Sequence, residues 1–373
     1  MLSPLQQAID TIQKNQNVLI ALPESLNGDA VGSALALGEA LKKLGKRVGI
    51  AAQESIPEEL SFLSGWENIK NQLYSWRDFI ISIDTAKNKI SRLRYETENT
   101  TLKIFLTTPQ KIEERDIKLE PGPFYYDLII TLDAPDLESL GKIFEENTEL
   151  FFQKPILNID HKAANEYFGE VNLVETTAAA CGEIIANLIT ALGPELVNEK
   201  TATALLTGLI VKTRSFQNAR TTPQVLTLAS QLITQGAARE LIVQHLYKTK
   251  PLNRLRLLGR LLSRLEYDEI RKIIWLLARP EDFREADGSP RDLVFVLEEI
   301  ENIFPQAALI FLLWPDENCV LWALAQAKQP EVLQKISLET AGTFRNNRLL
   351  LKLADVDLLT GKERLSALLN SLG

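Results

Sequence analysis

Asn27-Gly28-Asp29-Ala30-Val31-Gly32-Ser33 stands a few residues beyond the apolar run Val18-Leu19-Ile20-Ala21-Leu22, and from Ala30 to Leu44 the spacing of apolar residues is helical, stopping at Gly45. Arg47 to Ala51 then reads as a second strand. A strand, a tight Asn-Gly-Asp turn, a helix and a further strand, in that order, specify a parallel, doubly wound α/β sheet. Ligands of such sheets bind where strands end and helices begin, which places a pocket at residues 27–33.

Outward from that turn, two further strand-like runs close on aspartates: Phe79-Ile80-Ile81-Ser82-Ile83-Asp84 and Asp127-Leu128-Ile129-Ile130-Thr131-Leu132-Asp133. Both read as buried members of the sheet, with a β-hairpin near residues 92–106 inserted between them. Pro155 to Asp160 is another short core strand, running into His161-Lys162. Thr176–Leu192, Lys200–Val211 and Pro223–Gln235 read as helices. The stretch Glu240–Leu265, rich in Leu and Arg and broken by Pro251, reads as a connector. Beyond it, strands and helices alternate. The expectation is therefore an α/β sheet domain over 1–238, a helical connector over 239–266 and a smaller α/β domain over 267–373, with the active-site cleft between the two domains.

Composition narrows the function. With 373 residues the chain has room for two cores. A net charge of -8 argues against wide, nonspecific nucleic-acid binding, yet leaves room for a small phosphate ligand held by local cations. Two cysteines, Cys181 and Cys319, make neither a disulfide framework nor a zinc cluster. Two histidines, His161 and His245, cannot build an imidazole-rich metal centre. No apolar run is long enough to span a bilayer and Met1-Leu2-Ser3-Pro4 has no signal-peptide character, so a cytoplasmic protein without membrane contact is expected.

Taken in order, several segments resemble the DHH phosphoesterase superfamily, in particular two-domain RecJ-like exonucleases, nano-RNases and cyclic-dinucleotide phosphodiesterases. They are Asp29-Ala30-Val31-Gly32-Ser33, Leu132-Asp133, Asn158-Ile159-Asp160-His161, Phe168-Gly169 with Asn172, Thr207-Gly208-Leu209-Ile210-Val211-Lys212, and Gln235-Gly236-Ala237. The resemblance implies two manganese or magnesium ions at strand ends, activating water and stabilising charge on phosphoryl oxygens. It also marks departures. The first metal position would use Pro23 and Asn27, where the family pattern has His and Asp. The second would use Asp29, Asp133 and His161, and its last aspartate is Lys212. Lys162 replaces the second histidine of the motif. In the C-terminal domain, Trp322-Ala323-Leu324-Ala325 and Phe344-Arg345-Asn346-Asn347-Arg348 stand where relatives carry a Ser-x-Arg strand and a glycine-rich loop.

The resemblance thus implies Asp160 and His161 as remnants of catalysis, Asp29, Asp133 and His161 as a remnant metal site, and Asn27, Lys162, Lys212, Arg345 and Arg348 as ligand or phosphate contacts. It calls for no cofactor or one divalent cation. Two plain alternatives stand beside it. Asp29 fits a helix cap, and Asp160-His161 fits a hydrogen-bonded structural pair. Three functions compete: an impaired or inactive member that binds a nucleotide or short oligonucleotide, an active one-metal phosphoesterase cleaving short oligonucleotides or cyclic dinucleotides, and a structural protein. The last would pair with an active relative through the hairpin edge, and a homodimer is the other assembly expected.

Overall fold

The computed structural model describes residues 2–73, 77–86, 89–248, 251–345, 348–353 and 356–371. The chain divides into two compact units, Met1–Leu246 and Tyr247–Gly373.

The first unit is built on a six-stranded parallel sheet. Its order is Val171–Val174, Ile156–Asp160, Leu128–Leu132, Asn17–Ala21, Arg47–Ala51 and Ile69–Lys70. Val18 pairs with Val48 on one side and Leu128 on the other, so the first strand lies centrally. Successive side chains face opposite sides. Val18, Ile20, Ile130 and Leu157 join the larger core, beneath the helices Gly28–Lys43, Cys181–Leu192 and Glu199–Lys212. Leu19, Ile129 and Ile156 join a smaller one with Phe151 on the other face. With helices on both faces, the strands can be almost wholly apolar, which is why the five residues of Leu128–Leu132 are all buried.

The run Phe79–Asp84, expected as a core strand, lies elsewhere. Arg77–Ile83 pairs antiparallel with Ile117–Phe124 in a separate two-stranded ribbon, and Phe79 and Leu119 are exposed. An apolar run of this length looks the same in sequence whether it is buried or forms one face of a ribbon. The expected hairpin is present as Arg92–Glu98 paired with Thr101–Thr107.

The second unit carries a mixed sheet. Its order is Glu266–Asp268, Ile273–Leu277, Leu309–Pro315, Leu321–Ala327, Arg348–Leu353 and Thr343–Arg345. Only Ile273–Leu277 and Leu309–Pro315 run parallel in it. The stretch read as a connector is divided: helix Arg239–Val243 lies in the first unit, while Leu252–Leu262 packs Leu257, Leu258 and Leu261 into a core of the second. No helix among the described residues is long and apolar enough to cross a membrane.

Candidate functional site

Three strand ends of the first unit deliver the site, and the turn after Asn17–Ala21 organises it. Asn27 is the N-cap of the helix Gly28–Lys43: its Oδ1 accepts from the amides of Asp29 at 2.9 Å and Ala30 at 3.0 Å. Its Nδ2 donates to Asp133 Oδ2 at 2.9 Å. Asp29 therefore does not cap its own helix. It caps another: its Oδ2 accepts from the Cys181 amide and its Oδ1 from the Gly182 amide, both at 2.8 Å. The helix Cys181–Leu192 has no side-chain cap of its own, and a carboxylate at a helix N-terminus is favoured by the backbone dipoles. Burial, and then Asp133 nearby, still push the Asp29 carboxyl above its ordinary value.

Two glycines let this happen. A Cβ on Gly32 would lie 2.3 Å from the Ala204 carbonyl oxygen, and one on Gly208 would lie 3.1 Å from the Asp29 Cα. The helices Gly28–Lys43 and Glu199–Lys212 consequently approach backbone to backbone, which brings Lys212 at the end of the second helix to the site.

Asp133 follows Leu128–Leu132 in a left-handed backbone conformation (φ 53°), which aspartate tolerates better than most residues. The side chain is fully buried. Around its Oδ1 lie Lys162 Nζ at 2.9 Å, His161 Nε2 at 3.5 Å and Lys212 Nζ at 3.8 Å. Lys162 Nζ also donates to the Asp133 backbone carbonyl. Burial alone would raise the Asp133 carboxyl, but the His161 contact, the two lysines and Asn27 outweigh it and hold the group well below the usual carboxylate range.

His161 is buried as well, and a residue not anticipated from sequence holds its ring. Arg220 Nη1 lies 3.1 Å from His161 Nδ1. A guanidinium can only donate, so Nδ1 accepts and the ring proton of a neutral imidazole sits on Nε2, facing Asp133. Asp160 does not hold the imidazole: its Oδ1 accepts from the His161 backbone amide at 2.7 Å and its Oδ2 from Asn165 Nδ2 at 2.8 Å. The Asp160-His161 pair is a backbone clamp on the turn. Arg220 sits in the loop that begins with Arg214, Ser215 and Phe216, all three with positive φ (50°, 58° and 64°). Asn218 then ties the loop back by donating to the Lys212 carbonyl at 2.9 Å. Three consecutive non-glycine residues of this kind are costly and typical of sites under functional constraint.

Of the remaining expected contacts, Arg348 donates to Glu298 Oε1 at 2.6 Å and Gln326 Oε1 at 3.2 Å within the second unit. The Arg345 side chain, with Asn346 and Asn347, lies outside the described residues. Arg254, Arg260 and Arg264, on the helix Leu252–Leu262 and just beyond it, engage Asp292 and Asp282. Cys181 is buried, and burial together with Asp29, Asp133 and Asp160 raises its thiol well above its ordinary value, the opposite of a reactive thiolate. His245 stacks on Phe62 with ring centroids 4.7 Å apart.

Residues 17–209 match the model of the DHH family, N-terminal domain. The chain belongs to the DHH family. Among curated relatives, it is 29% identical over 285 residues to the bifunctional oligoribonuclease and PAP phosphatase NrnA of Thermus thermophilus, covering 76% of this chain and 69% of that protein. It is 27% identical over 173 residues to the uncharacterized protein MG371 of Mycoplasma genitalium, covering 44% of this chain and 53% of that one. The exopolyphosphatase-related protein of Bacteroides fragilis shares the fold, with a TM-score of 0.72, 16% identity and coverage of 98% and 96% of the two chains.

Asp29, Asp133 and His161 offer one ligand atom each within 4.8 Å of one another, the type and spacing of a divalent-cation site. Asp133 Oδ1 and His161 Nε2 are also buried without a hydrogen-bond partner. The surroundings of the three work against a cation. Two ammonium groups lie within 4 Å of Asp133 Oδ1. A metal-binding Nε2 needs its lone pair free and an acceptor at Nδ1, whereas Arg220 supplies a donor there. His161 Nε2 and Asp133 Oδ1 lie 3.5 Å apart, at the outer limit of hydrogen-bond reach. The donor set does not fit the family's metals.

Proposed function

We propose that this DHH-family chain is a metal-independent binding protein whose first-unit site recognises a phosphate-bearing ligand, a nucleotide or short oligonucleotide, through Lys162 and Lys212. The observation that carries this reading is the Arg220 contact on His161 Nδ1, which turns a would-be metal ligand into a hydrogen-bond donor. Charge agrees with it. Lys162, Lys212 and Arg220 set three cations against the carboxylates of Asp29 and Asp133. Both lysine side chains keep part of their surface open to solvent. Two ammonium groups sharing one carboxylate retain charge for an incoming anion, and charged hydrogen bonds to phosphate are strong. The name of the Thermus relative, an oligoribonuclease and PAP phosphatase, supports the ligand class.

The second reading is a one-metal phosphoesterase, favoured by the convergence of Asp29, Asp133 and His161 within 4.8 Å. Calorimetric titration separates the two. With chelator present, adenosine monophosphate and a diadenylate should bind the unmodified protein, and manganese in a metal-stripped sample should not. A Lys212→Asp/Arg220→Glu double variant should gain manganese binding, because it restores a carboxylate and places an acceptor behind Nδ1. Manganese binding by the unmodified protein, with nucleotide bound only in its presence, would overturn the proposal.

A further inference from the structure

The hairpin Arg92–Glu98/Thr101–Thr107 stands as a two-stranded sheet of its own, and among the described residues no strand pairs with either of its outer edges. Isolated two-stranded ribbons are marginal in water, and open edges invite pairing. This hairpin has no proline in either strand to block it. One face is apolar: Leu93 opposes Leu106, Tyr95 opposes Ile104 and Thr97 opposes Leu102. Leu93 is 63% exposed, Tyr95 72% and Leu102 59%, so among the described residues most of that face is uncovered. The other face carries Arg92, Arg94, Glu96 and Glu98.

The order of those charges is the informative feature. Arg92-Leu93-Arg94-Tyr95-Glu96-Thr97-Glu98 is basic at one end and acidic at the other, symmetric about Tyr95. We propose that the chain dimerises by antiparallel pairing of strand Arg92–Glu98 with the same strand of a second copy, across a two-fold axis at Tyr95. In that register Arg92 lies opposite Glu98 of the second copy and Arg94 opposite Glu96, each pair occurring twice. Shifting by two residues puts Arg94 against Arg94 in one direction and Glu96 against Glu96 in the other, with like charges directly opposed. Shifting by one turns one hairpin's apolar face over.

Backbone hydrogen bonding permits the same register. Glu98 and Thr101 flank the two-residue turn Asn99-Thr100, so they form a hydrogen-bonded pair, and Arg92, Arg94, Glu96 and Glu98 direct their amides and carbonyls into the hairpin. Leu93, Tyr95 and Thr97 direct theirs outward. Tyr95 can then exchange both bonds with Tyr95 of the second copy. The Arg94–Glu96 pairs fall at non-hydrogen-bonded positions, where opposing side chains come closest. Within one copy Arg94 already touches Glu96 and lies 4.0 Å above the Phe105 ring centroid, and Lys103 touches Glu98. These are exposed contacts that a second copy can share. Packing through the apolar faces instead would leave all four strand charges in solvent and give their order no consequence.

Sedimentation equilibrium on the full chain tests this surface, independently of any ligand. The unmodified protein should dimerise at micromolar to tens of micromolar concentrations. Arg94→Glu and Glu96→Arg each oppose like charges twice, and each should weaken the dimer by roughly tenfold or more. Both positions are exposed, so the variants should fold as the parent does. Arg94→Glu/Glu96→Arg should restore dimerisation. Mixing the two single variants should yield heterodimers that neither forms alone. A monomer at all concentrations overturns the proposal, whether or not another protein binds the hairpin. A dimer indifferent to both charge reversals also overturns it, and its loss with Leu93→Ser/Leu102→Ser would assign the contact to the apolar face.

Discussion

Asp282 in the second unit and Asp133 in the first are both fully buried aspartates flanked by basic side chains, yet they are finished differently. Asp282 Oδ1 accepts from Arg260 Nε at 3.0 Å; its Oδ2 accepts from the Arg279 amide at 2.8 Å and from Arg264. It closes the capping box of the helix Pro280–Ala286. Asp133 has one oxygen tied to Asn27, while the other faces two ammonium groups and an imidazole without a well-formed hydrogen bond, on left-handed backbone. A carboxylate whose role is structural saturates its acceptors. One left half-saturated among cations calls for an explanation, and the proposed anion site supplies one.

The largest effect should come from removing the saturated one. Asp282→Ala deletes a cap and two arginine contacts, and should destabilise the second unit by about 2–3 kcal/mol. Guanidinium unfolding followed through Trp275, Trp314 and Trp322 reads that unit. Asp133→Ala should cost its own unit less, since Lys162 and Lys212 are partly open to solvent once freed. Equal losses would erase the contrast.

Acid sharpens it further. Burial would raise the Asp282 carboxyl, but the Arg279 amide, Arg260 and Arg264 outweigh burial and lower it below its ordinary value of 3.8. A group depressed on folding stabilises the fold above its unfolded value, and that stabilisation is lost as pH falls through the folded one. The stability gap between the unmodified protein and Asp282→Asn should therefore stay constant from neutrality to about pH 4 and narrow below it. A gap unchanged at pH 3 would mean that the carboxylate's charge does not matter there.

A smaller change is expected in ligand affinity. Asp133→Asn keeps the shape and removes the charge that Lys162 and Lys212 now share, so adenosine monophosphate binding with chelator present should strengthen by several-fold. Weaker binding would mean that Asp133 positions the lysines more than it competes with the phosphate.

The sequence carried some parts of this site plainly and hid others. Asn27-Gly28-Asp29 after an apolar strand announced the turn, and Lys212 was legible because its helix follows a recognisable Thr-Gly-Leu-Ile pattern. The destination of Asp29 was not legible, because two amides of a helix some 150 residues later satisfy it, and backbone groups leave no residue-type signal. Phe79–Ile83 misled because an apolar run does not say whether one face or both will be covered. Arg220 was hidden for a further reason: it sits in the loop that begins with Arg214, Ser215 and Phe216, whose positive φ residue preference argues against.

Arg220 also offers the finest test of the contrast, since the chain has only two histidines and their ring nitrogens can be resolved by long-range proton–nitrogen correlation. His245, stacked on Phe62, serves as the internal reference. In the unmodified protein at neutral pH, His161 should carry its proton on Nε2, because Arg220 donates to Nδ1. Arg220→Glu puts an acceptor behind Nδ1 and should move the proton there, leaving the His245 signals in place. The freed Nε2 lone pair then faces Asp133, and the variant should acquire manganese binding that the parent lacks. If His161 already holds its proton on Nδ1 in the unmodified protein, Arg220 does not govern the ring. The cluster of Asp29, Asp133 and His161 would then be poised for a cation after all, and the difference between Asp133 and Asp282 would be that of a metal site and a cap.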